Sequence, residues 1–326
     1  MKLGFNMPQL TDCVTQKTIH DFAVRTDDMG YDALVVQDHY MYPENPIQSH
    51  PLHQMMFGPE NVQQWPQAYE HLYAPLESLA YVAGITKNIR LGTSILVLGY
   101  HRPVMLAKRT ATIDVLSNGR LDIGVGLGWA KEEFDHMDSP FGNKGSRSTD
   151  FLKALRAAWK ENPTGYEGEY YNFAKGSTSP KPVQKDADGN PAVPLAGAFN
   201  SEPGQDRLAE LCDIWHPAGL PADMAMMMLE QINKIAADKY GRGPLKMNLR
   251  VFASPSLPST GTIPEAQFPG SWLGGIDDML PLIKQAKDAG VHEVTIDTSF
   301  TPEINTEQGW MEVPEFFAPA LEEAHR

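Results

Sequence analysis

An apolar run at residues 33–36 is followed at once by Gln37, Asp38 and His39. A histidine at such a position can hydrogen-bond a heterocycle or transfer a proton near neutral pH. The neighbouring Asp38 could hold one tautomer of His39 or cap the next segment. A polar pair also occurs at strand–loop junctions that have no catalytic role, so position alone leaves both interpretations open.

A second candidate is the glycine-rich turn at residues 124–129, which ends in Trp129. Its third glycine comes one residue too early for the Gly-x-Gly-x-x-Gly dinucleotide motif. Closely spaced glycines such as Gly126 let a backbone approach a flat ligand, and Trp129 offers a face for stacking. Without further context, a tight strand-to-helix turn with Trp129 in the core is the simpler interpretation.

A third candidate is the segment Gly197, Ala198 and Phe199, which runs into a predicted helix. Small residues at a helix N-terminus expose backbone N–H groups, and the helix dipole there favours an anion. Ser201, followed by Glu-Pro, is also typical of an ordinary capped helix start. Phosphate binding and simple capping are therefore both possible at this segment.

The remaining chemistry-bearing residues form no known motif. Cys13 and Cys212 are too far apart in sequence to indicate a disulfide framework or a metal pair, and we expect a reducing cytosol. His50 and His53 are three residues apart in a long loop, so a metal there is an alternative, but we expect no metal. The sequence contains no motif of serine hydrolases, P-loop proteins or thiol-redox proteins.

The elements that must position these residues alternate between strands and helices. The predicted strands are residues 2–7, 33–36, 89–98, 121–125, 193–196, 213–216, 249–253 and 293–296. The predicted helices are residues 18–29, 76–84, 103–116, 151–159, 205–211, 224–239 and 279–289. Repeated βα units in a chain of this length predict an α/β fold, a closed (β/α)₈ TIM barrel, rather than an open sheet.

Three long stretches interrupt this alternation, near residues 40–75, 162–191 and 254–275. Long connections in compact domains are often binding loops. The first and third follow predicted strands, so they should lie over the carboxyl ends of the barrel strands, where active sites are built. The second contains a hairpin-like pattern. We expect one domain over residues 1–326 with these three insertions.

Composition limits the partners. The chain has 326 residues, with 41 acidic against 27 basic residues and a formal net charge of −14. This balance argues against nucleic acid and anionic membranes as partners. The N-terminus lacks the apolar core of a signal peptide, and no apolar run is long enough to span a membrane. We therefore expect a cytoplasmic protein.

Residues 89–134 resemble the bacterial-luciferase-like superfamily, which comprises flavin-dependent monooxygenases and coenzyme F420-dependent oxidoreductases. The segments Gly-Tyr-Asp at 30–32, Val-Gln-Asp-His at 36–39 and Asp-Ala-Gly-Val at 288–291 also fit this pattern. The resemblance implies a luciferase-like (β/α)₈ barrel, a homodimer and a small-molecule substrate. It also implies a ring of the flavin type lying across the carboxyl ends of the strands.

The resemblance assigns roles to individual residues. His39 would face the ring and the substrate as the catalytic residue. Ser94 and Ile95 would flank a non-prolyl cis peptide bond under the ring, and the loop 197–199 would hold the cofactor phosphate through its amides. Arg147 matches a family arginine near the cofactor. The residues expected at the cofactor are Asp38, Ser94, Ile95, Gly126, Trp129, Arg147, Gly197, Ala198 and Phe199.

Some departures from the family pattern limit what carries over. F420-dependent sugar-phosphate dehydrogenases have a glutamate after the Gly-x-Gly turn, but Trp129 stands there, so that acid/base role does not transfer. The phosphate loop usually contains Gly-Gly, whereas this chain has Gly197 and Ala198. The N-terminal half is most similar to F420-type members, which favours F420 over FMN. The alternatives are an FMN-dependent monooxygenase and a non-catalytic flavin-binding protein. A flavin or F420 reductase is a candidate partner.

Overall fold

The computed structural model describes residues 1–44, 65–265 and 271–326. Its strands are β1 Lys2–Asn6, β2 Ala33–Val36, β3 Arg90–Thr93, β4 Leu96–Val97, β5 Leu121–Gly126, β6 Thr164–Glu167, β7 Asn172–Gly176, β8 Leu195–Gly197, β9 Ile214–Trp215, β10 Lys246–Pro255, β11 Trp272–Gly274 and β12 Glu293–Asp297. Within the described residues, β1, β2, β3, β5, β8, β9, β10 and β12 form one parallel ring. The ring is closed because β12 pairs with β1 and β9 pairs with β10. The predicted (β/α)₈ barrel is confirmed.

The strands owe their placement to continuous apolar runs. Every residue of β2 is buried, as expected for a strand of a parallel barrel, which is covered on both faces. The predicted strand at 89–98 is two strands, β3 and β4, because a cis peptide bond between Ser94 and Ile95 interrupts it. β4 continues to pair with β5 beyond that interruption.

The helices cover the outside of the ring. They are α1 Gln16–Met29, α2 Pro75–Ile85, α3 Pro103–Leu116, α4 Lys131–His136, α5 Lys144–Trp159, α6 Glu202–Leu211, α7 Ala222–Tyr240, α8 Ile276–Asp288, α9 Glu307–Phe316 and α10 Ala318–His325. Helix α1 begins at a Thr15 capping box and ends at Gly30, whose φ of 84° lies in the left-handed region that glycine tolerates. Among the described residues, no helix is long and apolar enough to cross a membrane.

Three helical regions differ from the sequence prediction. The short helix α4 was not predicted. Helix α5 begins at Lys144 rather than at residue 151, because its first two turns carry the polar run Lys-Gly-Ser-Arg-Ser-Thr-Asp, which has no apolar periodicity. Helices α9 and α10 were not predicted, since Pro314 and Pro319 make the sequence typical of a loop. Pro319 lies in the first turn of α10, where a missing N–H costs no hydrogen bond.

The described parts of the second and third long stretches carry strands of their own. The hairpin-like pattern at 162–191 forms an antiparallel pair, β6 and β7. Its turn packs on the first half of α5, where Asp150 accepts hydrogen bonds from the amides of Tyr170 and Tyr171 at 2.7 and 2.9 Å. Strand β11 extends the sheet beside β10. His50 and His53 lie outside the described residues.

Two groups of buried apolar residues stabilise the molecule. The larger one fills the space between the ring and its helices. The smaller one lies apart from it, at the carboxyl ends of the strands. Its buried members are Leu10, Trp65, Tyr69, Ala130, Phe252 and Phe300, and we call it the upper aromatic cluster. A separate apolar cluster at this end of a barrel is placed where ligands bind.

Candidate active site at the carboxyl ends of the strands

The barrel brings most of the predicted site residues to one rim. His39 follows β2, Ser94 follows β3, and Gly126 ends β5. Ala198 follows β8, and His216 follows β9 on the same rim. Because all of these strands are parallel, their carboxyl ends meet at one end of the barrel.

His39 is held by a carboxylate that the sequence did not indicate. The Nδ1 atom of His39 lies 2.8 Å from Oε2 of Glu133, on helix α4, and the Glu133 side chain is fully buried. The Tyr100 hydroxyl donates to the same oxygen at 2.7 Å. The other carboxylate oxygen accepts the backbone amides of Tyr40 and Met41. This set of donors fixes Glu133, and through it the plane of the imidazole ring.

The donor set also decides the charge of Glu133. Burial alone would raise its pKa, but the hydrogen bond and charge of His39, together with the donors Tyr40 and Tyr100, hold the pKa below its usual value. An ionised Glu133 accepts a hydrogen bond from the Nδ1–H group of His39. Nε2 is therefore the ring atom that can exchange a proton with a ligand.

Asp38 does not orient His39. Its Oδ2 atom accepts from the backbone amide of Val97 at 2.9 Å and lies 2.9 Å from Nε2 of His101. Asp38 instead holds Val97 and His101, which belong to the segment that follows the cis peptide bond. Cofactor binding by Asp38 stays a prediction.

The Ser94–Ile95 peptide bond is cis and is held from the barrel interior. The Ser94 hydroxyl lies 2.8 Å from Nε2 of His216, whose Nδ1 lies 2.8 Å from the carbonyl oxygen of Asn248. Burial, with a smaller contribution from Arg250, lowers the pKa of His216 to about 4. A neutral His216 therefore donates through Nδ1 and accepts the Ser94 hydroxyl. Arg250 also donates to the Ser94 carbonyl oxygen at 2.9 Å.

The glycines of β5 serve the chain itself. A Cβ on Gly124 would lie 1.9 Å from the carbonyl oxygen of Thr93, and one on Gly126 would lie 2.6 Å from Cδ1 of Ile95. The sequence suggested that these glycines admit a flat ligand. In the structure they admit the segment that carries the cis peptide bond.

Trp129 forms a wall of the site rather than part of the main core. Its ring centroid lies 5.7 Å from that of His39 and 4.6 Å from that of Trp65. Tyr69 packs closer still, with its centroid 4.3 Å from that of His39. Trp129 is thus half-buried and packs against the upper aromatic cluster, and His39 is bordered by three aromatic rings.

The segment after β8 is only partly suited to the amide role that was expected of it. The amide of Ala198 already donates to the carbonyl oxygen of Val125 at 2.9 Å. A Cβ on Gly197 would lie 2.5 Å from Leu208, so this glycine is needed for packing against α6. Ser201 caps α6 by accepting from the Gly204 amide, which bears out the capping interpretation.

Cationic side chains lie on the neighbouring turns. Arg147, in the first turn of α5, stacks its guanidinium group 4.5 Å from the Tyr170 ring centroid. Lys144 donates to the carbonyl oxygen of Gly128 at 2.8 Å. Arg207 of α6 donates to the carbonyl oxygen of Gly145 at 2.7 Å and lies 4.9 Å over the ring of Phe199. Arg207 therefore ties the start of α5 to the predicted phosphate loop.

Comparison with known proteins identifies the family. Residues 5–267 match the model of the luciferase-like monooxygenase family. The chain belongs to this family. The predicted membership is confirmed, and it makes this chain a relative of oxidoreductases and monooxygenases.

Among curated relatives, an uncharacterised protein of Mycobacterium tuberculosis is 34% identical over 50% of this chain and 57% of its own length. An F420-dependent glucose-6-phosphate dehydrogenase of Amycolatopsis mediterranei is 28% identical over 50% of this chain and 44% of its own. An FMNH₂-dependent dimethylsulfone monooxygenase of Pseudomonas fluorescens is 27% identical over 54% of this chain and 48% of its own length. The chain thus spans about half the length of the curated relatives it matches.

Solved structures agree on the fold. An F420-dependent secondary alcohol dehydrogenase in complex with an F420–acetone adduct has a TM-score of 0.70 at 16% identity, over 98% of both chains. The monooxygenase RslO1 of Streptomyces bottropensis has a TM-score of 0.70 at 17% identity, over 98% of this chain and 99% of its own. At these identities the likeness shows the luciferase-like barrel alone.

Proposed function

We propose that this luciferase-like protein transfers a hydride between coenzyme F420 and a small organic substrate, with His39 as the residue that exchanges the substrate proton. The observation that carries the proposal is the buried pair of His39 and Glu133, which lies at the strand ends beside the cis peptide bond. A hydride transfer to a carbonyl group needs a proton, and an imidazole oriented by a carboxylate is suited to supply it.

The residues at this rim fit a flat ring that carries a phosphate-bearing tail. Ile95 and Trp129 offer apolar surface for the ring. The cations Lys144 and Arg147 lie in the first turn of α5, and Arg207 links that turn to the loop of Phe199. Cationic side chains are donors that suit a phosphate group.

The chain's own residues would transfer the proton, position the imidazole and exclude water. F420, when bound, supplies the ring carbon that accepts or donates the hydride. Nε2 of His39 takes the hydroxyl proton of an alcohol as it is oxidised, or returns it to a carbonyl oxygen in the reverse direction. Glu133 acts as a positioning residue, since it holds Nδ1 protonated. Trp65, Tyr69 and Trp129 keep water from the reacting atoms.

The second candidate is an FMN-dependent monooxygenase that receives reduced flavin from a reductase. Reduced flavin must be shielded from water while it reacts with oxygen. The rings of Trp65, Tyr69 and Trp129 around His39 would provide such shielding, which favours this candidate. The similarity of this chain to the dimethylsulfone monooxygenase is nearly the same as that to the glucose-6-phosphate dehydrogenase, 27% against 28%.

The test compares His39→Ala with His136→Ala after loading each protein with F420 or FMN. His136 is the exposed last residue of α4, three residues after Glu133, and it serves as the matched control. We expect His39→Ala to lower kcat by about a hundredfold across a panel of alcohols, aldehydes and enones, while the cofactor Kd changes by less than about threefold.

An unchanged kcat in His39→Ala would remove the proton-transfer role. Cofactor binding without turnover of any panel member would favour a non-catalytic flavin-binding protein. Turnover that needs FMN, a reductase and oxygen would establish the second candidate in place of the first.

A further inference from the structure

A cavity of about 370 Å³ lies at the amino ends of the barrel strands, opposite to the candidate active site. Four polar side chains of three neighbouring strands line it: Lys2, Lys246, Asn248 and Glu293. We propose that this amino-end cavity binds a small amino acid, whose ammonium group contacts Glu293 and Asn248 and whose carboxylate lies between Lys2 and Lys246. The site is separate from the cofactor rim, so its test needs no cofactor.

The four side chains leave the sheet on the same face. Glu293 of β12 is in register with Lys2 of β1 on one side and with Asn248 of β10 on the other. Residues in register on neighbouring strands, and residues two apart on one strand, point to the same face of a sheet. Lys246 lies two residues before Asn248 on β10, so it shares this face. The cavity therefore brings two cations, a carboxyl group and an amide into one space.

The inner end of the amino-end cavity offers acceptors that lack donors. Glu293 is 3% exposed and Asn248 is 7% exposed. Within the described ranges, the Glu293 side chain makes no hydrogen bond or ion pair, and Oδ1 of Asn248 has no hydrogen-bond partner. Burial raises the pKa of Glu293 to about 7, so this carboxyl group is largely ionised at pH 8. A buried carboxylate without a partner is costly, and an ammonium group of a ligand would remove that cost.

The mouth of the amino-end cavity is cationic. Lys2 and Lys246 form no ion pair with any residue that the structure describes. After burial, the positive charges of Lys246 and Lys2 are the main causes that lower the pKa of His292 to about 4, so both ammonium groups act on one place. Lys185, on the exposed rim, is likewise without an ion pair in the described part of the chain. Ammonium groups in this arrangement suit a carboxylate, which accepts charge-assisted hydrogen bonds.

The remaining ionised groups of the lining are compensated within the chain. They are Arg90 with Asp122, Asp213 with Arg156 and Arg242, and Asp186 with the amides of its own turn. The uncompensated groups are thus ammonium groups at the mouth and one carboxyl group inside, a pattern that a zwitterion complements. A simple anion would leave Glu293 unpaired, and a simple cation would leave the lysines unpaired.

Isothermal titration calorimetry at pH 8, with protein free of cofactor, tests the proposal with three probes of similar size. L-Alanine carries both charged groups. Isobutyrate has a methyl group in place of the ammonium group, and isopropylamine has a methyl group in place of the carboxylate. We expect saturable binding of L-alanine and at least about tenfold weaker binding of the other two probes. Equal or tighter binding of either single-charge probe would overturn the proposal, as would failure of L-alanine to saturate.

Variants connect this binding to the amino-end cavity. Glu293→Gln should bring the affinity for L-alanine within about threefold of that for isobutyrate, and Lys246→Met should bring it within about threefold of that for isopropylamine. Glu230→Gln and Lys234→Met, at exposed positions of α7, are the matched controls and should bind L-alanine as wild type does. Circular dichroism verifies the folding of each variant. An undiminished preference for L-alanine in Glu293→Gln or in Lys246→Met would overturn the proposal.

Discussion

A buried glutamate at the opposite end of the barrel makes a quantitative prediction. Glu293 is the first residue of β12, is 3% exposed, and lines a cavity of about 370 Å³ at the amino ends of the strands. Burial is the main cause that raises its pKa from 4.5 to about 7, and Asp122 and Asp32 add to the rise while Lys2 and Arg90 oppose it. We therefore predict that Glu293→Gln stabilises the protein at high pH relative to wild type.

The sign follows from linkage. A carboxyl group whose pKa is higher in the folded state than in the unfolded state stabilises the fold fully below pH 4.5, and this contribution is lost as pH rises through about 7. Each pH unit between the two values is worth about 1.4 kcal/mol, so the loss is about 3 kcal/mol. Glutamine has the same shape and stays uncharged, so Glu293→Gln does not lose this stability between pH 4.5 and pH 7.

Urea unfolding of both proteins at pH 4.5 and pH 8 measures the effect. The free energy of unfolding of the variant relative to wild type should rise by about 3 kcal/mol between the two pH values, with m-values unchanged. Glu230→Gln, at an exposed position on α7, is the matched control and should show a difference near zero at both pH values. The same relative stability of Glu293→Gln at pH 4.5 and at pH 8 would refute the reasoning.

Three further predictions concern the site. Glu133→Gln should lower kcat about tenfold or more and move the pH at which kcat is half-maximal, while an unshifted pH profile would deny Glu133 its positioning role. Gly124→Ala should lower the free energy of unfolding by about 3 kcal/mol, because its Cβ would lie 1.9 Å from the Thr93 carbonyl oxygen. Gly142→Ala, whose Cβ would meet nothing within 4 Å, should change it by less than about 0.5 kcal/mol, and equal effects in urea unfolding would contradict the packing argument. Burial lowers the pKa of His216 from 6.5 to about 4, so the stability that neutral His216 gives above pH 6.5 is lost as the pH falls. Between pH 7 and pH 5, the free energy of unfolding of His216→Asn should therefore fall by about 2 kcal/mol less than that of wild type in the same assay.

Much of the fold could be predicted because its signals are local. The apolar run of β2, the proline that starts α3 and the glycine that ends α1 each specify an element without reference to distant residues. Strand β4 could not be separated from β3 by pattern, since Ser94 and Ile95 lie in an unbroken β-like run. Helices α9 and α10 were not predicted because their prolines weaken the helical pattern in the sequence. Tertiary packing overrides that low helix propensity in the folded protein.

The candidate site was predictable only where a residue sits at the end of its own strand. His39 carries that signal, and His216, one residue beyond β9, carries it too. Glu133 does not, because it reaches His39 from a short helix that only barrel closure brings beside β2. The reason for the glycines at 124 and 126 was also out of reach, since the segment they admit comes from another strand. The sequence also could not show that the Ala198 amide already donates a hydrogen bond to Val125 of β5.

Cofactor binding is the measurement that tests the central claim most directly. The purified protein is titrated with F420 and with FMN, oxidised and reduced, and the bound ring is followed by its absorbance and fluorescence. The account predicts saturable binding at one ring per chain, with F420 bound more tightly, and weaker binding of both in Arg147→Gln. Binding of neither ring would contradict the account, and much tighter binding of FMN would contradict the preference for F420.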